Sequence, residues 1–165
     1  VEFSEFRQGT EADYNYTTVK AERLFQLPKD FVLHGNLIAQ YSGEPLLSTE
    51  QLLAGGYRTV RGLPENVLRG DNGFRCSVEL LTPSLQVPTK WNDYLLGLVF
   101  LDGASLKQYG GMPERTEVLT GGVGLRYRVS SHIFARASYG YVISECNLDE
   151  SIDGRRFHFL ISTTF

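Results

Sequence analysis

At 165 residues the chain has the length of one domain. Charged residues make up 21% of it and the formal net charge is −3, which excludes the basic field that nucleic-acid binding requires. No run of about 18 apolar residues is present to form a transmembrane helix, but a membrane barrel stays open, because its strands meet lipid only at every second residue.

The chain opens at Val1 directly into acidic and aromatic alternation, without a signal-peptide pattern, so its N-terminus reads as that of a domain or a processed chain. Val1–Gly9 reads as the end of a first strand, closed by a polar loop through Asp13. Tyr14–Leu27 is the second strand, with Val19, Ala21 and Phe25 alternating against Lys20, Glu22 and Leu24. Pro28-Lys29-Asp30 makes a tight reversal, since proline presets φ and aspartate favours turns. Phe31–Tyr41 follows, with Leu33, Gly35, Leu37 and Ala39 on one face and His34, Asn36 and Gln40 on the other.

A long loop from roughly Ser42 to Asn72 comes next. Its heart is Gly55-Gly56-Tyr57-Arg58-Thr59-Val60-Arg61-Gly62-Leu63, too rich in glycine and charge to read as a strand. Glycine allows positive φ and close backbone approach, while a guanidinium offers five donors in a fixed fork. A loop of this composition is expected to fold back and dock on the rest of the chain.

Gly73–Pro83 is the fourth strand, with Phe74, Cys76, Val78 and Leu80 opposed to Arg75, Ser77 and Glu79. A connection carrying Pro83 and Pro88 leads to the fifth, Asp93–Ser105, where Gly97, Val99 and Leu101 face away from Leu98, Phe100 and Asp102. After a polar loop with Gly110, Gly111 and Pro113, Leu119–Val129 sets Val123, Leu125 and Tyr127 against Arg126 and Arg128. Ser130-Ser131 is a short turn into His132–Ile143, where Ala135, Ala137, Tyr139 and Tyr141 oppose Arg136 and Ser138. An acidic loop from Ser144 to Gly154 precedes the last strand, Arg155–Phe165.

The reading is all-β: eight antiparallel strands, most of about 9–11 residues, the length that crosses a bilayer at a tilt. Short connections alternate with long ones, the habit of outer-membrane barrels, and Tyr14, Tyr16, Tyr41, Tyr127, Tyr139 and Tyr141 sit near strand ends where an interfacial girdle belongs. Periodicity alone fits a soluble antiparallel barrel or sandwich equally well. Cys76 reads as a small apolar residue on a strand face and Cys146 as a loop residue, with no metal spacing and no disulfide expected. His34, His132 and His158 lie on three strands without ligand spacing, so no metal site is expected, and no cofactor or catalytic motif occurs. Gly121-Gly122-Val123-Gly124 lacks the strand–turn–helix setting of a phosphate loop.

Two features go further. The last strand ends on Phe165 with Phe159 and Ile161 at alternate positions before it, and this resembles the C-terminal signature by which outer-membrane barrels are read by the barrel-assembly machinery. The stretch Gly55–Leu63, with Ser48-Thr49-Glu50-Gln51 ahead of it, resembles the GG-x-x-x-VRG-(F/Y) loop of the outer-membrane protein translocation and assembly superfamily. With Gly70-Asp71-Asn72-Gly73, Glu79-Leu80-Leu81-Thr82-Pro83 and Phe100-Leu101-Asp102-Gly103, the set is similar to that of the two-partner secretion transporters of the haemolysin-activator and haemagglutinin-exporter kind. Leu63 departs from the aromatic that usually closes the tetrad.

The resemblance implies a transmembrane β-barrel in the outer membrane, of which this chain is the C-terminal half of sixteen strands, behind two POTRA domains that would recognise substrate. It implies that the loop enters the lumen and that Arg61 latches to Asp102, with Glu79 as second acceptor and Gly55, Gly56, Val60 and Gly62 shaping the loop. The implied partners are an unfolded secreted exoprotein, outer-membrane lipid and the barrel-assembly machinery, with no nucleotide or cofactor. Arg126, Arg128 and Arg136 either line a cationic path or simply hydrate the wall. Two other readings remain: an assembly factor of the same superfamily that inserts barrels, separated only by the EQ and EL-x-TP flanks, and a passive eight-stranded pore or adhesin, for which the loop would be needless.

Overall fold

Alternation with a period of two puts one apolar face on every strand, and such faces pair edge to edge into a sheet. The structure, a computed structural model, describes residues 14–87, 93–110, 115–129 and 132–164. The long strands are β1 (Tyr16–Gln26), β2 (Val32–Ser42), β5 (Asn72–Leu81), β7 (Asp93–Lys107), β8 (Arg115–Val129), β9 (Ile133–Cys146) and β10 (Arg155–Thr163). They are hydrogen-bonded in the order β1-β2-β5-β7-β8-β9-β10, every pair antiparallel, so each long strand lies beside its successor. The short β6 (Leu85–Val87) pairs with β7 and completes an eight-stranded sheet. The path ends at β1 and β10, which do not pair with each other among the described residues.

Seven of the expected strands are therefore present, and the eighth strand of the sheet is β6 rather than Val1–Gly9, which lies outside the described residues. β6 falls in a segment read as connection. It arises because β5 does not simply stop: the Thr82 amide donates to the Gly97 carbonyl at 2.9 Å, and the Gly97 amide returns a bond to Thr82 Oγ1 at 2.9 Å. Pro83, which has no amide hydrogen to give the ladder, breaks the run before pairing resumes. The Pro28–Asp30 reversal is a 3-10 turn with Lys29 and Asp30 at φ 61 and 60, closed by the Leu27 amide on the Phe31 carbonyl. The Ser130-Ser131 turn lies outside the described residues. Cys146 is the last residue of β9 rather than a loop residue, and both cysteines are free.

The two faces of the sheet differ sharply. Val19, Phe25, Leu37, Phe74, Val78, Val99, Leu101, Val123, Leu125, Phe157, Phe159 and Ile161 all stand exposed on one face. Exposing so many large apolar side chains in one continuous face is costly in water and favourable against lipid. Tyr16 and Tyr41 are exposed at the ends of β1 and β2, whereas Tyr139 and Tyr141, expected near a strand end, are exposed in the middle of β9, because that strand runs on to Cys146. No helix among the described residues is long and apolar enough to cross a membrane.

The other face carries the segment between β2 and β5. That segment contains a small hairpin the sequence reading treated as loop, β3 (Leu52–Ala54) and β4 (Leu68–Gly70), paired Leu52 to Gly70 and Ala54 to Leu68. Its side chains Leu52, Ala54, Val60, Leu63 and Leu68 are buried together with Ala104 and Leu106 of β7 and Val118 of β8. The loop thus supplies most of one core cluster and is held down by apolar burial before any charge is considered. A second, smaller cluster of Leu81, Leu98 and Phe100 sits near the short-turn ends of the strands.

Candidate functional site

The loop is fixed at its base by Asp71, which is fully buried between β4 and β5. Its Oδ1 accepts the Leu46 amide at 2.9 Å and Gln51 Nε2 at 3.1 Å, and its Oδ2 accepts the Tyr109 amide at 2.8 Å. One carboxylate thereby ties the Glu50-Gln51 flank and the far end of β7 to the Gly70–Gly73 motif. Asn72 Oδ1 adds the Ser42 amide at 2.6 Å, and Glu50 Oε2 accepts the Tyr16 hydroxyl at 2.7 Å.

Above that base the chain doubles back tightly. Gly55 and Gly56 have φ of 114 and 95, a region that side-chain-bearing residues rarely enter. Thr59 Oγ1 closes the turn by accepting the Gly55 amide at 2.9 Å and donating to the Gly55 carbonyl at 2.7 Å. The Tyr57 amide donates to Glu65 Oε1 at 2.9 Å across the same turn. Val60 and Leu63 point into the loop's apolar cluster, each fully buried, and between them Arg61 turns the opposite way.

Arg61 is 6% exposed and its donors converge on the sheet wall. Nε donates to Asp102 Oδ2 at 2.8 Å and one terminal nitrogen donates to Asp102 Oδ1 at 2.7 Å, a side-on bidentate pair. The Arg61 main-chain amide also reaches Asp102 Oδ2, at 3.0 Å. The second terminal nitrogen donates to Glu79 Oε1 at 2.5 Å. Ser77 Oγ accepts from the guanidinium at 3.1 Å and donates to Asp102 Oδ1 at 2.6 Å. Asp102 is wholly buried and Glu79 7% exposed, so water screens these charges little. Burial alone would lower the Arg61 pKa, but its bonds to Asp102 and then the charge of Glu79 hold it above its ordinary value.

An aromatic face completes the pocket. The Phe100 ring lies under the guanidinium, its centroid 3.6 Å from Arg61 Cζ. Phe100 lies two residues before Asp102 on the same face of β7, whereas Leu63 is buried in the loop's apolar cluster on the other side. Gly122, across from Phe100 in the β7–β8 register, leaves room for that ring: a Cβ there would lie 2.6 Å from Phe100 Cζ. Gly62 has φ 104 and rests against the main chain of β9 at Gly140 and Tyr141.

The wall around this pocket is charged. Arg126 on β8 donates to Glu79 Oε2 at 2.5 Å, and His34 Nδ1 lies 3.5 Å from the same oxygen while its Nε2 is 2.8 Å from Glu22 Oε1. Arg75 donates to the Leu53 carbonyl, tying β5 to the hairpin. Between loop and wall lies a cleft of ≈ 1280 Å³ bordered by Lys20, Glu22, His34, Arg58, Arg126 and Arg136 among others.

Of the residues singled out from the sequence, Arg61, Asp102, Glu79, Val60, Gly62, Gly55 and Gly56 come together in this one place. Arg128 does not: it is exposed near the end of β8. His34 and His158 lie on β2 and β10 and His132 lies in the turn just before β9, and no set of metal-ligating side chains gathers among the described residues. Phe159 and Ile161 stand on the exposed face of β10, and Phe165 lies outside the described residues. Ser77 and Gly140 were missed. Ser77 shares a strand face with Glu79 and could have been found by that; nothing in a single sequence marks Gly140 as the place where the loop lands.

Comparison with known proteins gives concordant results. The family described as haemolysin secretion/activation protein ShlB/FhaC/HecB matches residues 5–127. The chain is 30% identical over 111 residues, 67% of its length, to the outer membrane transporter CdiB of Dickeya dadantii (strain 3937), of which those residues are 20%. The chain therefore spans about a fifth of that relative. No solved structure matches.

Proposed function

The chain belongs to the ShlB/FhaC/HecB family of haemolysin secretion/activation proteins and is an outer-membrane β-barrel chain; on that premise we propose that it forms the C-terminal part of a two-partner secretion barrel in which Arg61 latches the lumenal loop to Asp102 and Glu79. The exposed apolar face meets lipid and the loop-covered face is the lumen. The observation that carries this reading is the buried Arg61 cluster. Two carboxylates on adjacent strands, β5 and β7, accept from one buried guanidinium presented by the middle of the loop, while polar ties from Tyr16, Gln40 and Arg75 of the wall reach Glu50 and Leu53 on its hairpin side.

The latch sets how the loop shares the lumen with a passing chain. Docked, the loop occupies space that an unfolded exoprotein would need. Its apolar cluster and its charges are separable holds, so the loop can shift along the wall by exchanging ion partners without exposing the whole cluster at once. Glu79, shared by Arg61 and Arg126, keeps one cation whichever way Arg61 moves, which lowers the cost of parting. The C-terminal strand, with Phe159, Ile161 and Phe165 at alternate positions, would be the segment read by the barrel-assembly machinery.

The test is secretion of the cognate exoprotein by the full-length protein carrying Arg61→Ala, with surface levels of the transporter measured alongside. Normal insertion with lost export supports the reading. Export at the wild-type level refutes it.

The EQ and EL-x-TP flanks resemble those of secretion transporters, and with the family match this supports secretion over barrel assembly.

A further inference from the structure

The Arg61 cluster is one segment of a longer row of charge on the inner wall. His34 of β2 stands directly opposite Glu79 in the β2–β5 register and diagonal to Glu22, whose partner across β1–β2 is Asn36. The imidazole therefore lies between two carboxylates, with Nε2 2.8 Å from Glu22 Oε1 and Nδ1 3.5 Å from Glu79 Oε2. Glu79 in turn meets Arg61, and Arg61 meets Asp102. Glu22, His34, Glu79, Arg61 and Asp102 thus cross β1, β2, β5, the loop and β7 with acid and base alternating.

The alternation is complete for only one form of the ring. An imidazolium carries a proton on both nitrogens and offers one to each carboxylate, whereas either neutral tautomer turns a lone pair on one of them. The difference bears on Glu79, which is 7% exposed and has little water to soften an unfavourable neighbour. His34 and Arg126 both approach Glu79 Oε2, which leaves Oε1 facing Arg61. The His34 side chain is 24% exposed and borders the ≈ 1280 Å³ cleft, so its proton exchanges with water there.

We infer that His34 is a positioning residue of the latch: its imidazolium holds the Glu79 carboxylate with Oε1 toward Arg61, and loss of the ring proton loosens the docked loop. The inference rests on Arg61 being the latch. With a neutral ring, a lone pair faces Oε2 at the same distance, and Glu79 shifts toward Arg126, the remaining cation on that oxygen. Arg61 is then left with Asp102 as its main anchor. The other charged groups around His34 are Glu22 and Lys20 of β1, Glu79 of β5, and Arg126 and Arg61 beyond Glu79. Carboxylates, ammoniums and guanidiniums do not ordinarily change charge between about pH 5.5 and 8, whereas an imidazole does.

The test reads the loop itself and not export. A nitroxide label is introduced by Arg58→Cys, at the exposed turn of the loop, in the full-length transporter reconstituted in lipid with its other cysteines replaced. Electron paramagnetic resonance then follows the mobile fraction of the label between about pH 5.5 and 8. With His34 in place the label should be largely immobile at the acid end, and its mobile fraction should grow severalfold across the range. Added His34→Gln should make the label mobile at every pH. Added His34→Lys, a cation that does not titrate there, should keep it immobile at every pH. A flat profile with His34 in place, a pH dependence that survives in both variants, or a His34→Lys label as mobile as that of His34→Gln overturns the inference. Arg61→Ala separates this inference from the latch. If that variant leaves the label immobile throughout, the latch itself fails. If it frees the label at every pH while the His34 variants follow the profile of the unaltered residue, the latch stands and the role given to His34 is wrong.

Discussion

Gly62 of the loop and Gly140 of β9 touch backbone to backbone. A Cβ on Gly140 would stand 2.8 Å from both the Gly62 nitrogen and the Arg61 carbonyl carbon. The loop carrying Arg61 can reach Asp102 only because the neighbouring strand offers no side chain at that point. Gly140→Val should push the loop off the wall at a cost of about 1–3 kcal/mol, the usual range for overpacking. The check is limited trypsin digestion of the outer-membrane protein. The variant should be cut at Arg58 or Arg69 under conditions where wild type is protected, and unchanged protection would show that the loop does not depend on this contact.

Phe100 is expected to matter for its ring and not merely its volume. Phe100→Leu keeps an apolar side chain over Gly122 but removes the π face beneath Arg61, a contact worth up to about 2 kcal/mol when shielded from water. The variant should keep the sheet and lose loop protection, in the same digestion, to a lesser degree than Arg61→Ala. Equal loss in the two variants would mean that the ring acts through packing of β7.

Asp71 should behave as a structural anchor distinct from the latch. Asp71→Asn puts an amide donor where the Leu46 and Gln51 donors, or the Tyr109 amide, now point. Leaving even one buried donor unmet costs about 1–3 kcal/mol. Heat-modifiability of the barrel on semi-native gels should fall to a lower temperature. A variant that melts like wild type would mean that the base of the loop has other sufficient supports.

Much of this architecture is legible in the sequence for a plain reason. A strand with one lipid-facing side writes its orientation into every second residue, so the lumenal positions of Glu79, Asp102 and Arg126 follow from Val78, Leu101 and Leu125. The pairing of Arg61 with Asp102 was legible only through the family resemblance of the motifs, since periodicity says nothing about where a loop of thirty-odd residues lands. What stayed hidden has a common cause. The β3–β4 hairpin is held by burial of Leu52, Ala54 and Leu68 against β7 and β8, a tertiary effect that three-residue strands do not announce locally. β6 depends on the Thr82–Gly97 pair across two strands. Gly140 and Gly122 are significant only for what sits on them. Cys146 was misplaced because the acidic residues after Ile143 look like loop, whereas β8 begins at Arg115 and carries the pairing on to Cys146.

The central claim is that Arg61 and Asp102 act as one unit in transport, and a double-mutant comparison tests it most directly. Exoprotein released by the full-length transporter would be measured for wild type, Arg61→Ala, Asp102→Ala and the double variant, each normalised to transporter at the cell surface. If the pair is the latch, each single change should reduce export strongly and the double change should reduce it no further, because the interaction is already gone. If the two losses instead add, or if either single variant exports at the wild-type level, the two residues do not work through each other and the latch is wrong.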